Sequence, residues 1–284
     1  MNIKNLFAPS GAAMALFVLL WGSAAIFTRW GLDNTSVFVL LIWRYAIALF
    51  ALTLLALKTK VWLPDLGTRK YVLCTGALLI GAYSICYFQA MRYGMTPGLL
   101  ATLLGAQPIL TLLLSERRYS PIRLIGLLLA FIGLTLIVSK GLSTDGLSTL
   151  GLWYAGGALL CITIGTLMQK RIKQAPQQIL PLQYAITLIM CLAFLPTEEI
   201  RNTFNFGFWV PALWLGLIIS VVAQLLLYKL IRTGNVVNIT SLFYLVPVVT
   251  AILDYIILGN AMSAMAIFGM FSIIAGIILV FRKS

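Results

Sequence analysis

The chain has no histidine, only seven Asp and Glu residues among 284, and four cysteines. Each shortage removes a class of function. Without histidine, a common zinc ligand and the side chain that titrates nearest neutral pH are both missing, so neither a histidine-based metal centre nor a serine–histidine catalytic pair can be built. Cys74, Cys86, Cys161 and Cys191 all fall inside apolar runs, which fits neither a disulfide framework nor a zinc cluster. No metal and no cofactor is therefore expected. An intramembrane enzyme would need a constellation at depth such as paired carboxylates. One carboxylate, Asp254, lies deep in an apolar run, so no enzymatic activity is expected either.

Charge is scarce altogether, at 10% of residues against 61% hydrophobic, and the mean hydropathy is +1.02. A soluble core of this length does not need so much apolar surface. The formal net charge of +13 would suit nucleic acid if it formed a patch. Here the cations sit between apolar runs and act as topology signals, so no nucleic-acid partner is expected.

A run of about 20 apolar residues crosses the hydrocarbon layer as a helix rising about 1.5 Å per residue. Ten such runs can be drawn: Gly11 to Thr28, Ser36 to Leu57, Tyr71 to Met91, Pro97 to Ser115, Arg123 to Ser139, Gly151 to Gln169, Ile179 to Pro196, Phe208 to Tyr228, Val236 to Leu258 and Ser263 to Phe281. The first resembles a signal peptide, with Ser23-Ala24-Ala25 as the cleavage region, but nine further runs identify it as an anchor. The fold class expected is an all-α polytopic membrane protein. With the amino terminus inside, the inner segments hold 15 of the 20 lysines and arginines. The outer segments hold four, Arg29, Arg92, Lys140 and Arg201, and Arg44 lies within a span. Positive residues favour the inner side, so both termini are expected to be cytoplasmic.

The chain also repeats itself. Arg92-x-Gly94 recurs 140 positions later as Arg232-x-Gly234, and Pro108 recurs 139 positions later as Pro247. Gly126 and Gly133 recur 143 positions later as Gly269 and Gly276. Glycines seven apart lie on one helix face, where a neighbouring backbone can approach. The expected halves are residues 1–140, holding transmembrane helices one to five, and residues 141–284, holding six to ten, together one transport domain. Five spans is an odd number, so the second half enters the membrane from the opposite side and the repeat is inverted. That architecture lets a site at the repeat interface open alternately to either face.

Four segments carry a family resemblance: WGSAAIFTRW in the first span, WRYAIALFAL in the second, AQPILTLLLSERR, and SLFYLVPVVTAILDYIILGN, the most specific. Together, over nearly the whole chain, they resemble the EamA-type branch of the drug/metabolite transporter superfamily. The resemblance implies ten helices in two inverted five-helix repeats, and a central path lined mainly by helices one, three, four, six, eight and nine. It also implies export of amino acids and related metabolites, or uptake of small solutes, across the bacterial inner membrane. Three departures stand out: Asn260 replaces the usual glutamate of the second repeat, Asp254 replaces a small apolar residue, and the first repeat is about five residues shorter between Pro108 and Glu116.

The residues give their own reading of a solute path. Thr240, Tyr244, Pro247, Ala251 and Asp254 follow at helical spacing in the ninth span, and a polar face in hydrocarbon turns toward the bundle interior. Tyr83 and Tyr87 share a face of the third span, Gln224 and Tyr228 a face of the eighth, and Trp21 sits mid-span in the first. Pro108 and Pro247 are read as mid-helix hinges, with Gln107 beside the first. Arg44, about 12 Å deep, and Asp254, about 7 Å deep from the same face, are expected to pair. The substrate-path candidates are thus Trp21, Arg44, Tyr83, Tyr87, Gln107, Gln224, Tyr228, Tyr244 and Asp254. The function expected is a secondary transporter exporting an amino acid or related metabolite by alternating access; a constitutively open solute channel lined by the same groups is the alternative. Its partners are a small-molecule metabolite and the lipid bilayer, and a monomer is compatible with the sequence.

The charge count makes a prediction. In a cysteine-free background, cysteines at Ser143 and Asn202 should react with an impermeant thiol reagent in intact cells, whereas cysteines at Thr59 and Lys173 should not. Labelling at the second pair in place of the first would reverse the topology.

Overall fold

The computed structural model describes residues 11–59, 63–95, 97–116, 118, 120–139, 148–200, 204–258 and 263–281, nearly all helical. Hydrocarbon offers backbone amides no water, so a spanning segment satisfies them within its own helix. Eight helices among the described residues are long and apolar enough to cross a membrane. They are α1 (Gly11–Leu32), α2 (Val37–Thr59), α3 (Leu66–Arg92), α5 (Pro121–Val138), α6 (Thr149–Arg171), α7 (Pro176–Phe194), α8 (Phe206–Thr233) and α10 (Ala264–Phe281). Phe50, Phe268 and Phe271, each about two-thirds exposed, are the kind of side chain a lipid-facing surface presents.

The fourth and ninth predicted spans are shorter and interrupted. The segment α4 consists of Pro97–Leu104 and Gln107–Ser115, separated by a turn at Gly105 and Ala106. The segment α9 consists of Val236–Ser241, a 3-10 turn Leu242–Tyr244, and Leu245–Leu258. Sequence reading placed Pro108 and Pro247 as kinks inside continuous helices. Instead each proline stands in the first turn of a new helical piece, where its missing N–H is not needed. The 3-10 turn also breaks the helical periodicity on which the expected Thr240-to-Asp254 stripe relied.

Two further irregularities recur at the repeat spacing. Helix α3 widens into a π-helical stretch at Ala77–Ala82, and α8 does the same at Trp214–Ala223. The Arg92-x-Gly94 motif is a helix stop: Met95 N–H donates to the Ala90 carbonyl at 3.0 Å and Gly94 N–H to Met91 at 3.1 Å. Gly94 takes φ 92°, a left-handed conformation that glycine adopts without a Cβ clash. At the second copy, α8 ends at Thr233 and Asn235 caps the start of α9 through its side-chain oxygen.

The helices pack as two compact units. One comprises Met1–Ala82 and Met168–Thr233; the other comprises Tyr83–Leu167 and Gly234–Ser284. Each unit draws helices from both halves of the chain, so packing units and sequence repeats divide the protein differently. In the first unit α2 packs on α7 and on the π stretch of α8, and Glu198, just beyond α7, accepts the N–H groups of Val37 at 2.9 Å and Phe38 at 2.8 Å. That carboxylate caps α2 from 160 residues away, satisfying two of its open amides.

In the second unit the most extensive pairing is α5 against α10, around the repeated glycines. A Cβ on Gly133 would stand 2.6 Å from the Gly269 carbonyl oxygen, and one on Gly126 would stand 2.7 Å from that of Gly276. Backbone cannot yield as a side-chain tip does, so Gly133→Ala or Gly269→Ala should destabilise by on the order of 1–3 kcal/mol. A lowered melting temperature in detergent would show it. Gly156→Ala, with nothing within 4 Å of the new atom, should leave the temperature unchanged.

Candidate functional site

Buried polar groups fall into one set in each unit. In the first unit the π stretch of α8 is the organising element, because its looser ladder frees carbonyls that an α-helix would use. The Ser220 carbonyl accepts a hydrogen bond from the Tyr184 hydroxyl of α7. The Ser220 hydroxyl accepts one from Arg44 Nε of α2 at 2.7 Å, which fixes the guanidinium inside the span. The Tyr45 and Tyr184 rings lie 5.4 Å apart beside it. One and two turns after Ser220 come Gln224 and Tyr228, both buried. Trp21 of α1 is half-buried against Phe17 at 5.2 Å. Deeper in α7, the Gln183 amide, fully buried, donates to Gln169 of α6 at 3.1 Å.

In the second unit the two interrupted helices meet at their breaks. Tyr244, in the 3-10 turn of α9, donates its hydroxyl to the carbonyl of Gly105, the residue in the turn of α4. The two residues are 139 positions apart, the offset that also relates Pro108 to Pro247, so equivalent points of the two repeats are joined. The next residue but one, Gln107, is buried and donates to the Thr166 hydroxyl of α6 at 3.3 Å. The Tyr83 and Tyr87 rings follow one another along α3, tilted at 54° with centres 5.9 Å apart. The side chain of Asp254 lies outside the described residues, and with it the expected pair with Arg44.

Sequence reading counted Arg123 as a topology charge. In the structure it lies in the first turn of α5, 4% exposed, and binds both oxygens of Glu116 at 2.6 and 2.8 Å. Its other nitrogen reaches Asn235 at 3.1 Å and Asn238 at 3.0 Å, tying the end of α4 and the start of α5 to the start of α9. Other buried, hydrogen-bonded groups that the sequence did not single out are Tyr184, Ser220, Gln183, Gln169 and Thr166. The one local signal was the Gln183-Tyr184 pair inside an apolar run.

The model of the EamA-like transporter family matches residues 9–139 and 149–282. An uncharacterized transporter of Archaeoglobus fulgidus is 24% identical over 283 residues, covering 95% of this chain and 96% of its own. A protein of Salmonella typhimurium named as a probable amino-acid metabolite efflux pump is 23% identical, covering 94% and 93%. A solved crystal structure, 17% identical, shares the fold with a TM-score of 0.80 over 96% of this chain and 99% of that one.

The bond between the two helix breaks can be tested directly. Tyr244→Phe keeps the ring and removes the donor to a buried carbonyl, which should destabilise by on the order of 1–3 kcal/mol. The loss would be read as a lower melting temperature with expression retained; an unchanged temperature would mean that the bond contributes nothing.

Proposed function

The chain belongs to the EamA-like transporter family, and on that premise we propose that it is a secondary transporter exporting an amino acid or a related small metabolite across the bacterial inner membrane by alternating access. Membership establishes a multi-pass membrane transporter; direction, solute and mechanism are our reading. The observation that carries it is the pairing of irregularities. Breaks interrupt α4 and α9 at equivalent positions, and π stretches interrupt α3 and α8 at equivalent positions. Discontinuous helices in corresponding places of two halves are the usual mark of the solute site in transporters built from inverted repeats. This supports reading 1–140 and 141–284 as two inverted five-helix repeats; the lysine and arginine bias of the inner segments supports reading both termini as cytoplasmic.

In this reading Trp21, Tyr83, Tyr87, Gln107, Gln224, Tyr228 and Tyr244 meet the solute, Arg44 and Asp254 are the charges of the path, and Pro108 and Pro247 mark the bending points. Aromatic faces and amides suit a partly apolar zwitterion. A phosphate ester would require several arginines or lysines at depth, and Arg44 stands alone there in the sequence. The name of the Salmonella typhimurium relative points the same way.

Purified protein in proteoliposomes loaded with a labelled amino-acid mixture should show saturable efflux and counterflow. Alanine at Trp21, Tyr83, Tyr87 or Gln224, or phenylalanine at the fully buried Tyr228 or Tyr244, should lower the rate by about tenfold, the equivalent of about 1.4 kcal/mol of lost contact, more than it lowers expression. Wild-type rates in all six variants would remove these residues from the path, and flux that never saturates would favour a channel.

A further inference from the structure

One end of the first unit carries positive charge that transport does not use. Arg69 and Lys70 open the α-helical part of α3 there, Lys170, Arg171 and Lys173 stand at and just after the end of α6, and Arg232 closes α8. Among the described residues these six cations share that end with one carboxylate, Asp65. Loop cations follow from topology alone, but here they surround a cavity of about 400 Å³ lined by Asp65, Thr68, Tyr71, Val72, Arg171 and Lys173, with Gln174.

The walls of the cavity are tied together. The Gln174 amide donates to Asp65 at 2.7 Å and to the Thr68 hydroxyl at 2.9 Å, and the Tyr71 hydroxyl donates to the Met168 carbonyl at 3.2 Å. Arg232 donates to the carbonyl of Lys173 at 3.4 Å, and Lys170 to the carbonyl of Arg232 at 3.1 Å, which fixes the backbone that presents the cations. Asp65 is engaged by an amide, and among the described residues neither Arg171 nor Lys173 has an acidic partner. An anion entering this cavity meets two cations that, among the described residues, form no ion pair, against the single carboxylate of Asp65, which the Gln174 amide holds.

The rim identifies the kind of anion. Leu66, the first residue of α3 and the neighbour of the lining residues Asp65 and Gly67, is 78% exposed, and Leu63, two residues before Asp65, is 47% exposed. Exposed leucines beside a basic pocket at a helix end belong at the boundary between headgroups and acyl chains. We propose that this cavity binds the phosphodiester headgroup of an anionic phospholipid, with Arg171 and Lys173 on the phosphate and Leu63 and Leu66 against the acyl chains. Arginine supplies the planar fork that matches phosphate oxygens and lysine supplies a second point charge. The bound lipid would clamp the ends of α3 and α6 and the start of α7.

The test uses the full chain in a neutral detergent, with phosphatidylglycerol, phosphatidylcholine, or free glycerol 3-phosphate added. Phosphatidylglycerol should raise the melting temperature and remain bound in native mass spectra, and phosphatidylcholine should do neither. The double change Arg171→Gln, Lys173→Gln should lower phosphatidylglycerol occupancy by about 30-fold, whereas Arg118→Gln should not change it. Equal stabilisation by phosphatidylcholine, or undiminished binding in the double variant, would overturn the site; equal stabilisation by glycerol 3-phosphate would overturn the lipid assignment. Should the double variant fail to fold, photoactivatable phosphatidylglycerol on the wild-type protein decides. Cross-links mapping to residues 63–72 and 171–174 support the site, and cross-links elsewhere alone refute it.

Discussion

A backbone inside hydrocarbon has no water to bond, so every departure from the α-helical ladder needs a partner supplied from elsewhere in the protein. The polar residues of this chain are arranged by that requirement. The turn in α4 exposes the Gly105 carbonyl, and Tyr244 covers it. The π stretch in α8 exposes the Ser220 carbonyl, and Tyr184 covers it. The first amides of α2 are covered by Glu198, and those of α9 by its own cap Asn235, which is held in turn by Arg123. Side chains that look isolated in an apolar sequence are mostly answers to particular gaps in backbone hydrogen bonding.

This explains how much of the molecule was legible in advance. The apolar runs were legible because burial in lipid demands length and hydrophobicity, and the helices begin and end within a few residues of them. Close backbone approach at Gly126, Gly133, Gly269 and Gly276 was legible, because it requires glycine whatever surrounds it; that α5 and α10 are each other's partners was not. The breaks were misread as kinks. Proline announces a disturbance locally, but whether the ladder bends or stops depends on a donor such as the Tyr244 hydroxyl arriving from 139 residues away. Tyr184, Ser220 and Gln183 escaped for the same reason, since their roles are defined by partners on other helices. Arg123 was counted only as a topology charge because nothing local to it reveals Asn235 and Asn238.

The repeats share positions while differing in chemistry. At breaks 139 positions apart the first half contributes a bare carbonyl at Gly105 and the second a phenol at Tyr244, so the two form a complementary pair. Equivalent π stretches likewise carry different side chains beyond them, two tyrosines in α3 and a glutamine with a tyrosine in α8. In the proposed carrier, backbone breaks at matching positions with unlike side chains would let the two faces treat one solute differently.

The cap that Glu198 places on α2 has a bearing on biosynthesis. A ribosome completes α2 long before residue 198 exists, so the first amides of that helix enter the membrane interface without their carboxylate. They must be held by water or lipid headgroups until α7 has been inserted and its following turn has returned to the same surface. The amino-terminal half therefore cannot reach its final structure on its own, and maturation of its second helix is timed by the arrival of its seventh.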